Sequence, residues 1–452
     1  MATLRPSYEI SGHVTMLFRT VRAWHPARDM LPKGSMQDKR FASWCHTLFP
    51  VVLLCAGWLV ASPVAVVRGL LAIITSPSVL LHDYLAIGGA GATLVNAGLC
   101  GLISLGLLRW LKIELSGPFI AAVYTVIGFA FFGKNVVNIW PIIIGVASFA
   151  RYQGVPLKNY ALVSLFGTTL APLVSLLAFG TQFDGSPAYA TAFSFGLLAG
   201  FILPPLASHM LRFHDGFNIY NIGFTGGIIG SFLIAILRSF NFTVAPVAIL
   251  SGEFDVPMKI MLNSIFLLMI AAGWILARHS KKTLREACRE ILSSSGRLIS
   301  DFTSIGNHAA VLINMGLMGL VASAFVVLMG GQFNGPIIGG ILTVVGFAAF
   351  GKHPRNSISI LAGVALGAQL KIWDIGSTGV IIAGLFGTTL APIAGQYGQL
   401  AGILAGFCHL SIVHNVGVLH GGVNLYNNGF AGGFVASFLV PLIDALKREE
   451  RK

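Results

Sequence analysis

Two polar, glycine-rich stretches carry the side chains best suited to holding a small solute. His214–Gly227 reads HDGFNIYNIGFTGG and His420–Gly433 reads HGGVNLYNNGFAGG. His214, Asn218, Tyr220, Asn221, Gly223, Phe224, Gly226 and Gly227 recur as His420, Asn424, Tyr426, Asn427, Gly429, Phe430, Gly432 and Gly433, at a constant spacing of 206 (420 − 214). Asparagine amides both donate and accept hydrogen bonds, and glycine lets a ligand approach the backbone. His214 and His420 are candidates for protonation near neutral pH, although a solvated loop histidine is the plainer reading. A polar loop written twice in an apolar chain points to a site at a repeat interface. Two ordered loops that simply cap the next helices would be the structural alternative.

The heptad FGTTLAP also occurs twice, at Phe166–Pro172 and Phe386–Pro392. Proline lacks an N–H and clashes with the preceding turn, so a helix should kink or break there. Thr168, Thr169, Thr388 and Thr389 would add hydroxyls beside the freed backbone groups, unless they only bond their own helix. Asn96 and Asn314 lie within apolar runs, where asparagine serves as interhelical glue as readily as a ligand. The candidate substrate-binding set is therefore these four threonines and two asparagines, with Asn218, Tyr220, Asn221, Asn424, Tyr426 and Asn427 from the loops. Lys134 and Lys352 end two matching runs, where snorkelling to the interface is expected.

Absences narrow the chemistry. No Asp or Glu sits deep in an apolar run, where cation pumps place one. The chain contains no GxxxxGK[ST], HExxH or GxSxG string and no Cys/His cluster, so no catalytic residue, metal or cofactor is expected and the chain is not read as an enzyme. The five cysteines form no CxxC pair and suggest no disulfide framework.

The elements that must position these residues are membrane helices. The chain is 55% hydrophobic and 10% charged, with a mean hydropathy of +0.81; soluble domains carry roughly 25% charge. Runs of about 18 apolar residues, enough to span a bilayer as a helix, recur along it. The net charge of +13 reads as basic loops on the cytoplasmic side rather than as a nucleic-acid surface.

Further matches tie the halves together. Asp83, Asn96, Gly117-Pro118 and Phe132-Gly133-Lys134 recur as Asp301, Asn314, Gly335-Pro336 and Phe350-Gly351-Lys352, all offset by 218 (314 − 96). The domain reading is a basic cytoplasmic tail over 1–45, a first membrane repeat over 46–255 and a second over 256–446. The second carries a cytoplasmic linker at 278–305, and a basic tail over 447–452 follows. Lys and Arg placement puts both termini in the cytoplasm, with Lys352 counted among the inner loops. An odd number of runs then separates the matching stretches. The expected fold is an all-α integral membrane protein of two inverted-topology repeats, about seven segments each, with broken or re-entrant helices. On that topology His214–Gly227 faces the cytoplasm and His420–Gly433 the opposite side.

With DYLAIGGAGATLVNAGL, FFGKNVVNIWP, LFGTTLAPLVS and FHDGFNIYNIGFTGG in order, residues 45–446 resemble an uncharacterised family of bacterial multi-pass membrane proteins with two related halves. The resemblance implies the bacterial inner membrane and brings no substrate. The expected activity is transport of a small polar neutral or anionic metabolite by alternating access. The alternatives are a passive channel of urea-type architecture and, third, a membrane-embedded enzyme or sensor. The expected partners are the lipid bilayer and a small-molecule solute, with no nucleic acid; a homo-oligomer is compatible with the sequence.

Overall fold

The computed structural model describes residues 36–180, 185–244, 247–278, 280 and 282–449. The expected basic tail lies outside the described residues as far as position 35, as do 450–452. From Met36 the tail is already helical, so the first helix starts ahead of the apolar run.

The first half runs α1 (Met36–Val60), α2 (Pro63–Ile74), α3 (Tyr84–Trp110), α4 (Gly117–Phe129), α5 (Trp140–Tyr152), α6 (Ala161–Gly167), α7 (Ala171–Phe179), α8 (Ser186–Met210) and α9 (Asn221–Ser239). The second runs α10 (Asp255–Ala277), α11 (Leu284–Ser293), α12 (Phe302–Ile305), α13 (His308–Leu328), α14 (Gly335–Phe347), α15 (Pro354–Leu370), α16 (Thr378–Gly387), α17 (Ala391–Tyr397), α18 (Gln399–Val416) and α19 (Asn427–Glu449). The order repeats: α4 answers α14, α6–α7 answers α16–α17, and α9 answers α19. The described residues form no strand beyond a single parallel bridge between His82 and Ile249.

Ten helices among the described residues are long and apolar enough to cross a membrane, counting α6–α7 and α16–α17 as one each. The protein is a multi-pass membrane protein. Trp44 and Leu59 of α1, Leu268 and Trp274 of α10, Phe232 of α9 and Phe438 of α19 are exposed, which suits contact with lipid. The linker forms α11, opened by a capping box in which Thr283 accepts from Glu286 N–H and the Glu286 carboxylate reaches back.

The short helices α4 and α14 sit at the centre. Each has 13 residues, about 20 Å at 1.5 Å per residue, against a hydrocarbon thickness of about 30 Å. Each opens with Gly-Pro, whose fixed φ and missing N–H suit a first turn, and α14 is buried along its whole length. They pack antiparallel: Gly128, late in α4, meets Gly339, early in α14, and Gly346, late in α14, meets Ala121, early in α4. Small residues let helix backbones approach where lipid supplies no hydrophobic drive.

Candidate functional site

The FGTTLAP heptads interrupt their helices as expected. A helical carbonyl at Thr168 would bond the N–H four residues on, but Pro172 has none. The chain tightens instead into a 3₁₀ turn, Thr168–Leu170, in which Ala171 N–H donates to Thr168 O. Thr388–Leu390 does the same ahead of Pro392. Each break thereby frees the next carbonyl, that of Thr169 or Thr389.

Those carbonyls are met by the opposite half. Leu425 N–H donates to Thr169 O and Ile219 N–H to Thr389 O, both at 3.1 Å. Thr169 Oγ1 donates to Asn424 Oδ1 (2.9 Å) and accepts from Tyr426 N–H (3.0 Å). Thr389 Oγ1 donates to Asn218 Oδ1 (2.5 Å) and accepts from Tyr220 N–H (3.0 Å). The asparagine amides finish the exchange: Asn218 Nδ2 donates to Gly429 O (2.9 Å) and Asn424 Nδ2 to Gly223 O (3.0 Å). Each polar loop is seated on the other half's helix break.

The two loops therefore meet at the centre, as a site at a repeat interface requires. The Tyr220 and Tyr426 rings lie 4.6 Å apart, while Gly227 abuts the Phe430 ring and Gly433 the Phe224 ring where α9 crosses α19. Their outer ends bond matching leucines of the opposite halves: Leu298 N–H donates to Gly216 O and Leu80 N–H to Gly422 O. The reason is chain geometry: the NxYN segments turn inward, because their amides find partners at the two breaks.

A second exchange caps the short helices. Asp83 Oδ1 accepts from Leu85 N–H at the start of α3 (2.9 Å) and from Gly335 N–H at the start of α14 (3.0 Å). Asp301 Oδ1 accepts from Thr303 N–H (2.9 Å) and from Gly117 N–H at the start of α4 (3.1 Å). Each carboxylate also meets the positive end of the helix it caps. Sequence reasoning saw these aspartates only as repeat markers; their shared 218 offset with the Gly-Pro pairs was the available signal.

Two stretches of the chain, residues 62–239 and 279–445, match the family described as Protein of unknown function (DUF1576). The chain belongs to this family. The matched regions correspond to α2–α9 and to α11 through most of α19, so each takes in one copy of the repeated helix order. No curated protein and no solved structure matches the chain.

The remaining sequence-derived residues hold the same scaffold in this family member. Asn96 Nδ2 donates to the carbonyls of Ala130 and Lys134 (both 2.8 Å), and Asn314 Nδ2 to those of Ala348 (2.7 Å) and Lys352 (2.8 Å). They tie down the turn that follows each short helix. Asn138 and Asn356, which the sequence reading did not single out, hold the same turns through Gly133 O (3.0 Å) and Gly351 O (2.9 Å). Asn221 and Asn427 donate to Ala207 O (2.9 Å) and Val413 O (3.2 Å), joining α9 to α8 and α19 to α18. Their Oδ1 atoms pair with His214 Nε2 (3.1 Å) and His420 Nε2 (2.9 Å). Both histidines are buried, and desolvation lowers each to about 4. They are neutral near pH 7, not loop groups poised to titrate there.

Lys134 and Lys352 do not snorkel. Both are 0% exposed, because the tied-down turns deliver them into the packed centre. Neither is then a marker of a basic loop. Lys352 Nζ donates to Tyr220 Oη and to Thr388 Oγ1 (2.6 Å) and lies 4.5 Å from the Tyr220 ring centroid. Lys134 Nζ lies 4.9 Å from the Phe129 ring centroid and has no hydrogen-bond partner among the described residues. Two buried lysines in an apolar core are the feature most able to act on a solute.

Proposed function

We propose that the protein is a secondary transporter, with two inverted halves that move a small polar solute by alternating access. The interlock at the centre is the observation that carries this reading: each half's polar loop closes the other half's broken helix. Equivalent helices α4 and α14 run antiparallel, which supports a pseudo-twofold axis perpendicular to them. With those helices upright in a bilayer the axis lies in the membrane plane, the plan of many alternating-access carriers. Of the neutral and anionic solutes that the sequence allows, the two buried lysines favour the anionic. A bacterial inner-membrane location, implied by the resemblance, and cytoplasmic termini, read from the Lys and Arg distribution, complete the reading.

The passive-channel alternative fares less well. Thr169, Thr389, Asn218, Asn424 and both lysines are 0% exposed, whereas a standing pore wets its lining. Counterflow in proteoliposomes tests the choice, with labelled lactate, succinate and urea as probes. A carrier takes up label faster when the vesicles are preloaded with the same unlabelled compound. Uptake indifferent to preloading would assign a channel, and uptake no faster than in protein-free vesicles for all three would count against transport of this class.

A further inference from the structure

The halves agree almost everywhere at the crossing and disagree at the lysines. By the repeat, Thr168 and Tyr426 are to Lys134 what Thr388 and Tyr220 are to Lys352. Thr168 Oγ1 donates to Leu165 O (2.6 Å), as Thr388 Oγ1 does to Leu385 O (2.5 Å). The tyrosines differ. Tyr220 Oη accepts from Lys352 Nζ, but Tyr426 Oη donates to Thr125 Oγ1 (3.0 Å). Thr343, which answers Thr125, donates to Gly339 O (2.8 Å) instead.

We infer that Lys134 is the binding ammonium for a small monovalent anion, a carboxylate or a halide, and that Lys352 with Tyr220 and Thr388 is the same site closed on itself. The inference rests on the transporter reading above and names its substrate class. A fully desolvated amine with no acceptor is costly to charge, and one negative charge at contact distance offsets that cost. None of the ion pairs among the described residues involves either lysine, so an incoming anion competes with no resident carboxylate. A dianion would bring a second charge that Lys134 alone does not balance.

The two sites are also joined. Lys134 faces Phe129, Phe129 packs on Tyr426 at 4.7 Å, Tyr426 on Tyr220 at 4.6 Å, and Tyr220 carries Lys352. Because the halves are equivalent, the opposite-facing state has Lys134 on Tyr426 and Thr168, and Lys352 free.

The test titrates purified, detergent-solubilised protein at pH 7 with sodium acetate, lactate, chloride or sulfate at matched ionic strength, read by thermal shift and calorimetry. Saturable binding of at least one monovalent anion, tighter than sulfate, is expected. Lys134→Gln should weaken it by roughly tenfold to a hundredfold, as for loss of a charged hydrogen bond, with partial retention in Lys134→Arg. Thr125→Val leaves Lys134 untouched but releases Tyr426 to satisfy it, and should weaken binding severalfold. Binding unchanged in Lys134→Gln and Thr125→Val, no saturable monovalent binding, or sulfate binding as tightly as the monovalent probes would overturn the assignment. Counterflow separates the two readings. Flux that persists in Lys134→Gln removes this site and keeps the transporter; Lys134-dependent binding without flux does the reverse.

Discussion

The interlock and the lysine pair lie at the same crossing, yet only the interlock is alike in both halves. Thr169–Asn424 and Thr389–Asn218 have matching partners, as do Asp301–Gly117 and Asp83–Gly335. Lys134 and Lys352 stand at matching positions with unlike surroundings. A contact that is identical in both halves can persist while the halves exchange roles. One that differs must change when they do. On the proposed transporter reading, the symmetric bonds are scaffold and the lysines are the part that records which state the molecule is in.

The aspartates give the largest expected effect. Asp83 is 0% exposed and also accepts from Ser251 N–H (3.2 Å), while Asp301 is half-buried. Asp83→Asn should destabilise by about 3 kcal/mol and Asp301→Asn by about 1.5, the range for hydrogen bonds to a charged group. Denaturant or thermal melts in detergent would show it. A neutral Asp83→Asn would mean that the reciprocal caps do not hold the halves together.

Next come the threonines. Sequence reasoning makes Thr169 and Thr389 solute ligands; the structure commits both hydroxyls to the interlock. Thr169→Val and Thr389→Val should each lower stability by about 1–2 kcal/mol, through a buried asparagine oxygen and a backbone N–H left unpaired. The two losses should be similar. A strong inequality would break the symmetry claimed for the scaffold.

The smallest effect sharpens the contrast directly. Lys134→Met removes a buried amine that has no hydrogen-bond partner among the described residues, while Lys352→Met also strips the Tyr220 hydroxyl of its bond. In anion-free buffer Lys134→Met should be the more stable variant by about 1 kcal/mol, read as a difference in Tm. Equal melting would place both lysines in the same environment.

Much of this was legible in the residues themselves. Apolar run length and charge scarcity give membrane helices, and identical strings at constant offsets give two related halves. Proline in FGTTLAP gives the break, because the missing N–H is a local fact. What these could not supply is the identity of partners 255 and 171 positions apart. Nothing near Thr169 says that its hydroxyl belongs to Asn424, or that Asp83 closes a helix beginning at Gly335. The lysines show the limit most clearly. A lysine at the end of an apolar run has a stem long enough to reach water, and sequence alone assigns it there. Whether it does depends on which way the turn carries it, and Asn96, Asn138, Asn314 and Asn356 set that direction through carbonyls that become neighbours only when the chain has packed.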